Sequence, residues 1–98
     1  LYNRGVSKSR TRVEVIFHGR VQGVGFRATV AGLARDLPIS GWVRNESDGS
    51  VRMEAQGDRD QVERLLALIH SRMGHFITGS TAHDRPLRDA EPAFGITH

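Results

Sequence analysis

The sequence predicts an α+β fold in the order βαββαβ, with two helices covering one face of an antiparallel sheet. Three observations predict it. Apolar residues alternate at period two in Val13–Phe17 and again in Val51–Gln56, as half-buried strands require. They recur at steps of three and four in Phe26–Leu37 and Val62–Met73, as amphipathic helices require. Turn residues separate these segments: a glycine-rich loop, Pro38, Asp48-Gly49 and Gly74. With 98 residues the chain suffices for one such core and not for two.

Taken in order, Val13, Val15 and Phe17 share one face of a first strand that ends at His18. Gly19–Gly25 follows, with three glycines in seven positions. Phe26, Val30, Leu33 and Leu37 form the buried stripe of the first helix, and Pro38 stops it. Gly41–Asn45 is a second strand, and Ser47–Ser50 is a tight turn whose Asp48-Gly49 pair tolerates positive φ. Val51–Gln56 is the returning strand. Asp58 is expected to cap the second helix, with Gln61 completing a capping box. Val62, Leu65, Leu66, Ile69 and Met73 form its stripe and Gly74 its end. A fourth strand is expected within 75–83, interrupted at Gly79, then a loop over 85–92 and a short last strand over Ala93–Thr97. Trp42 and Phe26 are expected as core anchors, and Asp84, Asp89 and Glu91 as solvated loop acids.

The charge is unevenly placed. The chain carries 14 Lys+Arg against 11 Asp+Glu, a net +3. Residues 1–12 hold four of the bases and no acid, so residues 13–98 carry ten bases against all 11 acids. The basicity therefore belongs to a short N-terminal segment rich in Ser, Gly and Asn, read as a disordered leader before a domain spanning 13–98. The absence of Cys excludes disulfides, thiol nucleophiles and thiolate metal sites, and makes a reducing, cytoplasmic setting the expectation. No apolar run approaches the roughly 18 residues of a membrane span. His70, His75 and His83 have spacings that match no compact ligand motif, so no metal site is expected.

Chemistry is legible in the glycine loop. In a βαβ unit the first two strands run parallel, so their carboxyl ends emerge at one edge of the sheet. The loop after the first strand and Asn45, at the end of the second, therefore belong on one side of the molecule. Spacing alone leaves two readings of Gly19, Gly23 and Gly25: turn geometry, or a nest of backbone N–H groups that receives an anion at a helix N-terminus. The segment is neither a Walker loop nor a dinucleotide fingerprint. Arg27 favours the anion. A cation in the first turn of a helix opposes the macrodipole at a cost of about 0.3–1 kcal/mol, which a bound anion accepting a bidentate fork would offset. A solvated Arg is the alternative. Asn45 is open to a plain strand-end role, and Gln22 either orders the loop or stays solvated.

Gly19-Arg20-Val21-Gln22-Gly23-Val24-Gly25-Phe26-Arg27, followed by Gly41-Trp42-Val43-Arg44-Asn45 and Asp48-Gly49-Ser50-Val51, closely resembles the acylphosphatase family. The resemblance is dense over residues 13–57 and looser through the second helix. Many relatives end in an aromatic or Arg-Tyr after a Phe-x-Ile strand. Here Phe94-Gly95-Ile96-Thr97-His98 keeps the Phe and Ile only, and residues 75–92 also depart from the family pattern. The resemblance implies a ferredoxin-like fold and the hydrolysis of acyl phosphates to a carboxylate and inorganic phosphate, with no metal or other cofactor. It implies that Arg27 binds the phosphate, that the amides of Val21, Gln22, Gly23, Val24, Gly25 and Phe26 cradle it, and that Asn45 orients the attacking water. A small-molecule acyl phosphate is then the partner, and a monomer the expected state.

The chemistry fits these residues. A carboxyl phosphate expels a carboxylate whose conjugate acid has a pKa of about 4, so little general-acid help is needed. What remains is to hold the phosphoryl group, neutralise its oxygens and align water. Three other readings compete. An RNA-recognition domain shares the element order, but needs stacking aromatics on its central strands, and Val51–Gln56 has none. An idle anion-binding regulator would keep the loop without turnover. A similar unit also opens a larger hydrogenase-maturation protein with Cys-rich zinc segments and usually Pro after the motif arginine. Ala28 and the lack of Cys favour a free-standing enzyme.

Overall fold

The computed structural model describes residues 9–98. Its elements are β1 (Arg10–Gly19), α1 (Phe26–Arg35), β2 (Ser40–Asn45), β3 (Val51–Asp58), α2 (Arg59–Met73), a 3-10 turn (Gly74–Phe76), β4 (Ile77–Asp84) and β5 (Gly95–Thr97). They form a five-stranded sheet of order β4-β1-β3-β2-β5 with both helices on one face. β3 pairs antiparallel with β1 and with β2, so β1 and β2 point the same way and end at the same edge. The placement expected for the glycine loop and Asn45 follows from that.

The sheet is not wholly antiparallel, as the sequence suggested. β5 pairs parallel with β2, matching Trp42 to Gly95 and Arg44 to Thr97. The chain's path dictates the direction. β4 runs antiparallel to β1 and finishes opposite Val13, at the far end from the glycine loop. Residues 85–94 then cross below the sheet to its other edge, where the only course left is upward alongside β2.

The core lies between sheet and helices. Val15, Phe17, Val43, Val51, Met53 and Ala55 face inward from the strands, and Val62, Leu65, Ile69 and Met73 meet them from α2. On α1 the fully buried residues are Phe26, Val30, Ala31 and Ala34, whereas Leu33 and Leu37 pack at its flank. The two alanines supply the contact surface because a small side chain lets a helix approach its neighbours closely. Trp42 is also displaced from expectation. Strand alternation puts Val43 in the core and Trp42 on the opposite face, half-buried, with the Arg44 guanidinium 4.9 Å over its ring.

Other boundaries shift. β1 starts at Arg10, not Val13, so Arg10–Arg12 belong to the sheet, with Arg12 opposite Gln56. Ser9 of the expected leader is also described, and residues 1–8 lie outside the described residues. Asp58 precedes α2 with extended backbone, but its carboxylate caps no N–H, so the capping box does not form. Gly74 adopts a right-handed helical conformation and leads into the 3-10 turn instead of ending the helix sharply. β4 runs through Gly79, and its irregularity falls at His18/Gly19.

Glu91 is not a solvated loop acid. Arg12, fully buried, donates to Glu54 at 2.6 Å, to Gln56 at 3.1 Å and to both carboxylate oxygens of Glu91 at 2.7 and 3.0 Å. Gln56 also donates to the Arg88 carbonyl at 2.8 Å and accepts from the Arg88 N–H at 2.8 Å. The crossing segment is thus strapped to the first and third strands. The arginine holds the Glu91 carboxyl below its ordinary range, mainly through that hydrogen bond, against the opposing effect of burial. No helix is long and apolar enough to cross a membrane among the described residues.

Candidate functional site

The loop between β1 and α1 is anchored at both ends and open between them. Val21 and Phe26 are buried, and the Phe26 ring packs on Phe17 at a centroid distance of 5.1 Å. Gly23 and Gly25, between these anchors, have φ of 77° and 79°, a left-handed conformation that side chains with a Cβ rarely adopt. A Cβ built at either would meet nothing within 4 Å, so both face open space. Among the described residues no backbone carbonyl accepts from the N–H groups of Val21 to Gly25. Gly25 directly precedes α1, whose first turn contains no acid. The loop therefore presents unpaired N–H groups and a helix N-terminus to one concavity.

Arg27 and Asn45 line that concavity. It has a volume of about 330 Å³ and is walled by Val21, Gly23, Gly25, Phe26, Arg27, Ala28, Asn45, Ile96 and His98. Gln22 and Val24 lie in the same loop, outside this lining; Val24 packs against the core. Among the described residues no carboxylate pairs with Arg27, whose Nη1 lies 3.4 Å from Nδ1 of His98. Asn45 Oδ1 is buried and has no hydrogen-bond partner. An orphaned buried acceptor costs about 1–3 kcal/mol, so the Asn45 carboxamide is incompletely satisfied beside the cleft that its residue lines.

The hairpin after Asn45 is held tightly. Asp48 Oδ1 accepts from the Ser50 N–H at 2.9 Å and from its hydroxyl at 2.6 Å, which holds the Asp48 carboxyl below its ordinary range. Gln22 orders the loop: its Nε2 donates to the carbonyls of Glu46 and Ser50. Ile96 and His98 were not legible as cleft residues, because β5 reaches the site only by crossing the molecule; the Phe-x-Ile pattern was the available signal. The three histidines considered for metal form no cluster among the described residues. A larger cavity of about 590 Å³ lies at the opposite end of the sheet, around the crossing segment, and shares no residue with the cleft. Across β1 and β3 the face away from the helices carries Arg12, Glu14, Ile16, Arg52, Glu54 and Gln56, with no aromatic for base stacking.

Fold and cleft define the class: a ferredoxin-like α+β sandwich whose helix-start loop and single guanidinium suit a small anionic group. The acylphosphatase family's sequence model matches residues 13–95. An acylphosphatase of Bifidobacterium longum is 40% identical over 96 residues, which cover 92% of this chain and 95% of that protein. One of Salinibacter ruber is 56% identical over 59 residues, 60% of this chain and 62% of that protein's length, so the chain spans less than two thirds of that relative. The crystal structure of acylphosphatase from Bacillus subtilis superposes with a TM-score of 0.80 at 25% identity, over 92% of this chain and 100% of that one. The chain belongs to the acylphosphatase family, and the general activity that membership supports is hydrolysis of acyl phosphates.

Proposed function

We propose that the cleft holds the phosphoryl group of an acyl phosphate on the backbone amides of Val21–Phe26 and the Arg27 guanidinium, with Asn45 orienting the attacking water. The observation that carries this reading is the shared lining of one concavity by Asn45, the open glycines and Arg27, which has no carboxylate partner among the described residues. Turning the Asn45 carboxamide toward the cleft would let its oxygen accept from a water whose lone pair then faces the phosphorus. The amides and guanidinium neutralise the equatorial oxygens, where charge is spread in the transition state. Water bonds to phosphorus as the bond from phosphorus to the acyl oxygen breaks. The electron pair leaves on the carboxylate, and the water proton passes to a phosphoryl oxygen or to solvent. No side chain need give or take a proton, because the leaving carboxylate is a weak base. In this reading the protein is a cytoplasmic monomer acting on a small molecule without metal, and sedimentation equilibrium checks the oligomeric state.

Benzoyl phosphate hydrolysis in the presence of EDTA tests the assignment. Turnover is expected, with competitive inhibition by inorganic phosphate. Arg27→Ala should lower kcat/KM by about 10³-fold or more and abolish phosphate inhibition. Asn45→Ala should lower kcat by about 10²–10³-fold while phosphate still binds. A parent that binds phosphate without turnover would make the chain an anion-binding regulator of this fold instead.

A further inference from the structure

Gln22 sits in the middle of the glycine loop, yet its side chain leaves the loop for the neighbouring hairpin. Nε2 donates to the Glu46 carbonyl at 2.8 Å and to the Ser50 carbonyl at 2.9 Å. These same two carbonyls close the β2–β3 turn: the Glu46 N–H donates to Ser50 O at 2.9 Å and the Gly49 N–H to Glu46 O at 3.2 Å. Each carbonyl oxygen has two lone pairs, so the carboxamide takes the second on both and spends both of its own donors doing so. Glu46 directly follows Asn45 in the chain. One planar amide thereby ties the centre of the cradle to the peptide next to Asn45.

A loop that needed only order would find partners on the strand it leaves or the helix it enters. Gln22 reaches instead to the one hairpin that carries the candidate water-orienting residue. We infer that the Gln22 side chain is a positioning residue for hydrolysis, fixing the distance and angle between the phosphate cradle and Asn45 so that water and phosphorus stay in line. The inference rests on the roles proposed above for the cradle and Asn45, and concerns the side chain of Gln22 alone. In-line attack is sensitive to such placement, and a displacement of about 1 Å can cost about 10²-fold in rate.

Gln22→Met keeps length without donors, and Gln22→Asn keeps the amide but falls one methylene short. Benzoyl phosphate kinetics and calorimetric binding of inorganic phosphate are measured on both, at a temperature where circular dichroism shows each folded. Both variants should lose about 10–100-fold in kcat. Phosphate Kd should change by less than about 3-fold, and the kcat loss from Gln22→Met should shrink below about 3-fold in an Asn45→Ala background, since coupled residues are non-additive. A merely structural Gln22 would lower the melting temperature and leave kcat intact in the folded protein, which overturns the inference. So would a full kcat loss persisting without Asn45, or a loss of phosphate affinity matching the loss of kcat. If Asn45→Ala alone keeps parental turnover, the role given to Asn45 falls and the coupling with it, while Arg27-dependent phosphate binding reports separately on the cradle.

Discussion

Arg27 occupies a position where an isolated helix prefers an acid, and α1 offers it no acid in its first turn. That mismatch between residue and local structure is why it was legible in the sequence: a residue type that works against its own helix points to something outside the chain. Gly25 carries the same kind of signal. Its φ of 79° and the empty space before it leave room for a ligand to approach the backbone, as the proposed cradle requires. Gly25→Ala should therefore act twice, destabilising the fold by about 1 kcal/mol through left-handed strain and placing a methyl group in the cleft. Urea denaturation reads the first effect and phosphate binding the second; a variant with parental phosphate affinity would show that the loop faces solvent rather than ligand. The place of Asn45 beside the loop followed from the βαβ order, but its role came only from the family motif, because an asparagine at a strand end has an ordinary explanation. His98 and the partners of Gln22 were not visible at all, since they meet the loop across 71 and at least 24 residues of sequence.

Long-range pairing also explains which elements were misjudged. Helices and central strands carry their own periodicity, and they appeared where the pattern put them. β5 is three residues long and takes its direction from the path of the segment before it, which no local pattern encodes. That segment is held by Arg12, a buried cation that makes four hydrogen bonds to Glu54, Gln56 and Glu91. Removing one partner of a buried pair leaves a charge without compensation, so Glu91→Ala should cost about 3 kcal/mol, the lower end of the usual range because Glu54 remains. The pH dependence follows from the lowered folded pKa of Glu91. A carboxyl depressed on folding stabilises fully above its unfolded value of about 4.3, and the contribution is lost as pH falls through the folded value. Asp48, also depressed, has the same sign. The stability difference between the parent and Glu91→Gln should thus be constant near neutrality and narrow below about pH 4. Urea titrations across that range check it, and a gap that widened on acidification would contradict the pairing.

For the whole molecule, the net charge of +3 invites a nucleic-acid partner until it is divided along the chain. Residues 1–8 hold Arg4 and Lys8 and no acid, so residues 9–98 carry 12 bases against 11 acids. Within those residues four arginines are matched to acids on or beside the open sheet face: Arg12 to Glu54 and Glu91, Arg52 and Arg85 to Glu14, Arg44 to Glu46. Arg10 on the same face has no acid partner among the described residues. A face largely neutralised in this way has little to offer a phosphate backbone; β1 and β3 bring no Phe, Tyr or Trp to it, and the Trp42 ring on β2 is covered by the Arg44 guanidinium. Two truncations separate the contributions. A chain beginning at Ser9 keeps every element of the sandwich, the Arg12 network and the Ser9 carbonyl that accepts from the Arg59 N–H at 2.9 Å. It should retain benzoyl phosphate hydrolysis and melting temperature while any salt-sensitive RNA binding of the full chain disappears. A chain beginning at Val13 loses the pairings of Arg10, Thr11 and Arg12 with Asp58, Gly57 and Gln56, and leaves Glu91 buried without its guanidinium. It should be less stable by several kcal/mol, about 3–5 from the broken ion pair alone. Thermal denaturation of the two chains decides the matter: equal stability would place the edge of the folded unit at Val13, as composition first suggested, whereas a large gap places it at the arginine that joins the first strand to the crossing segment.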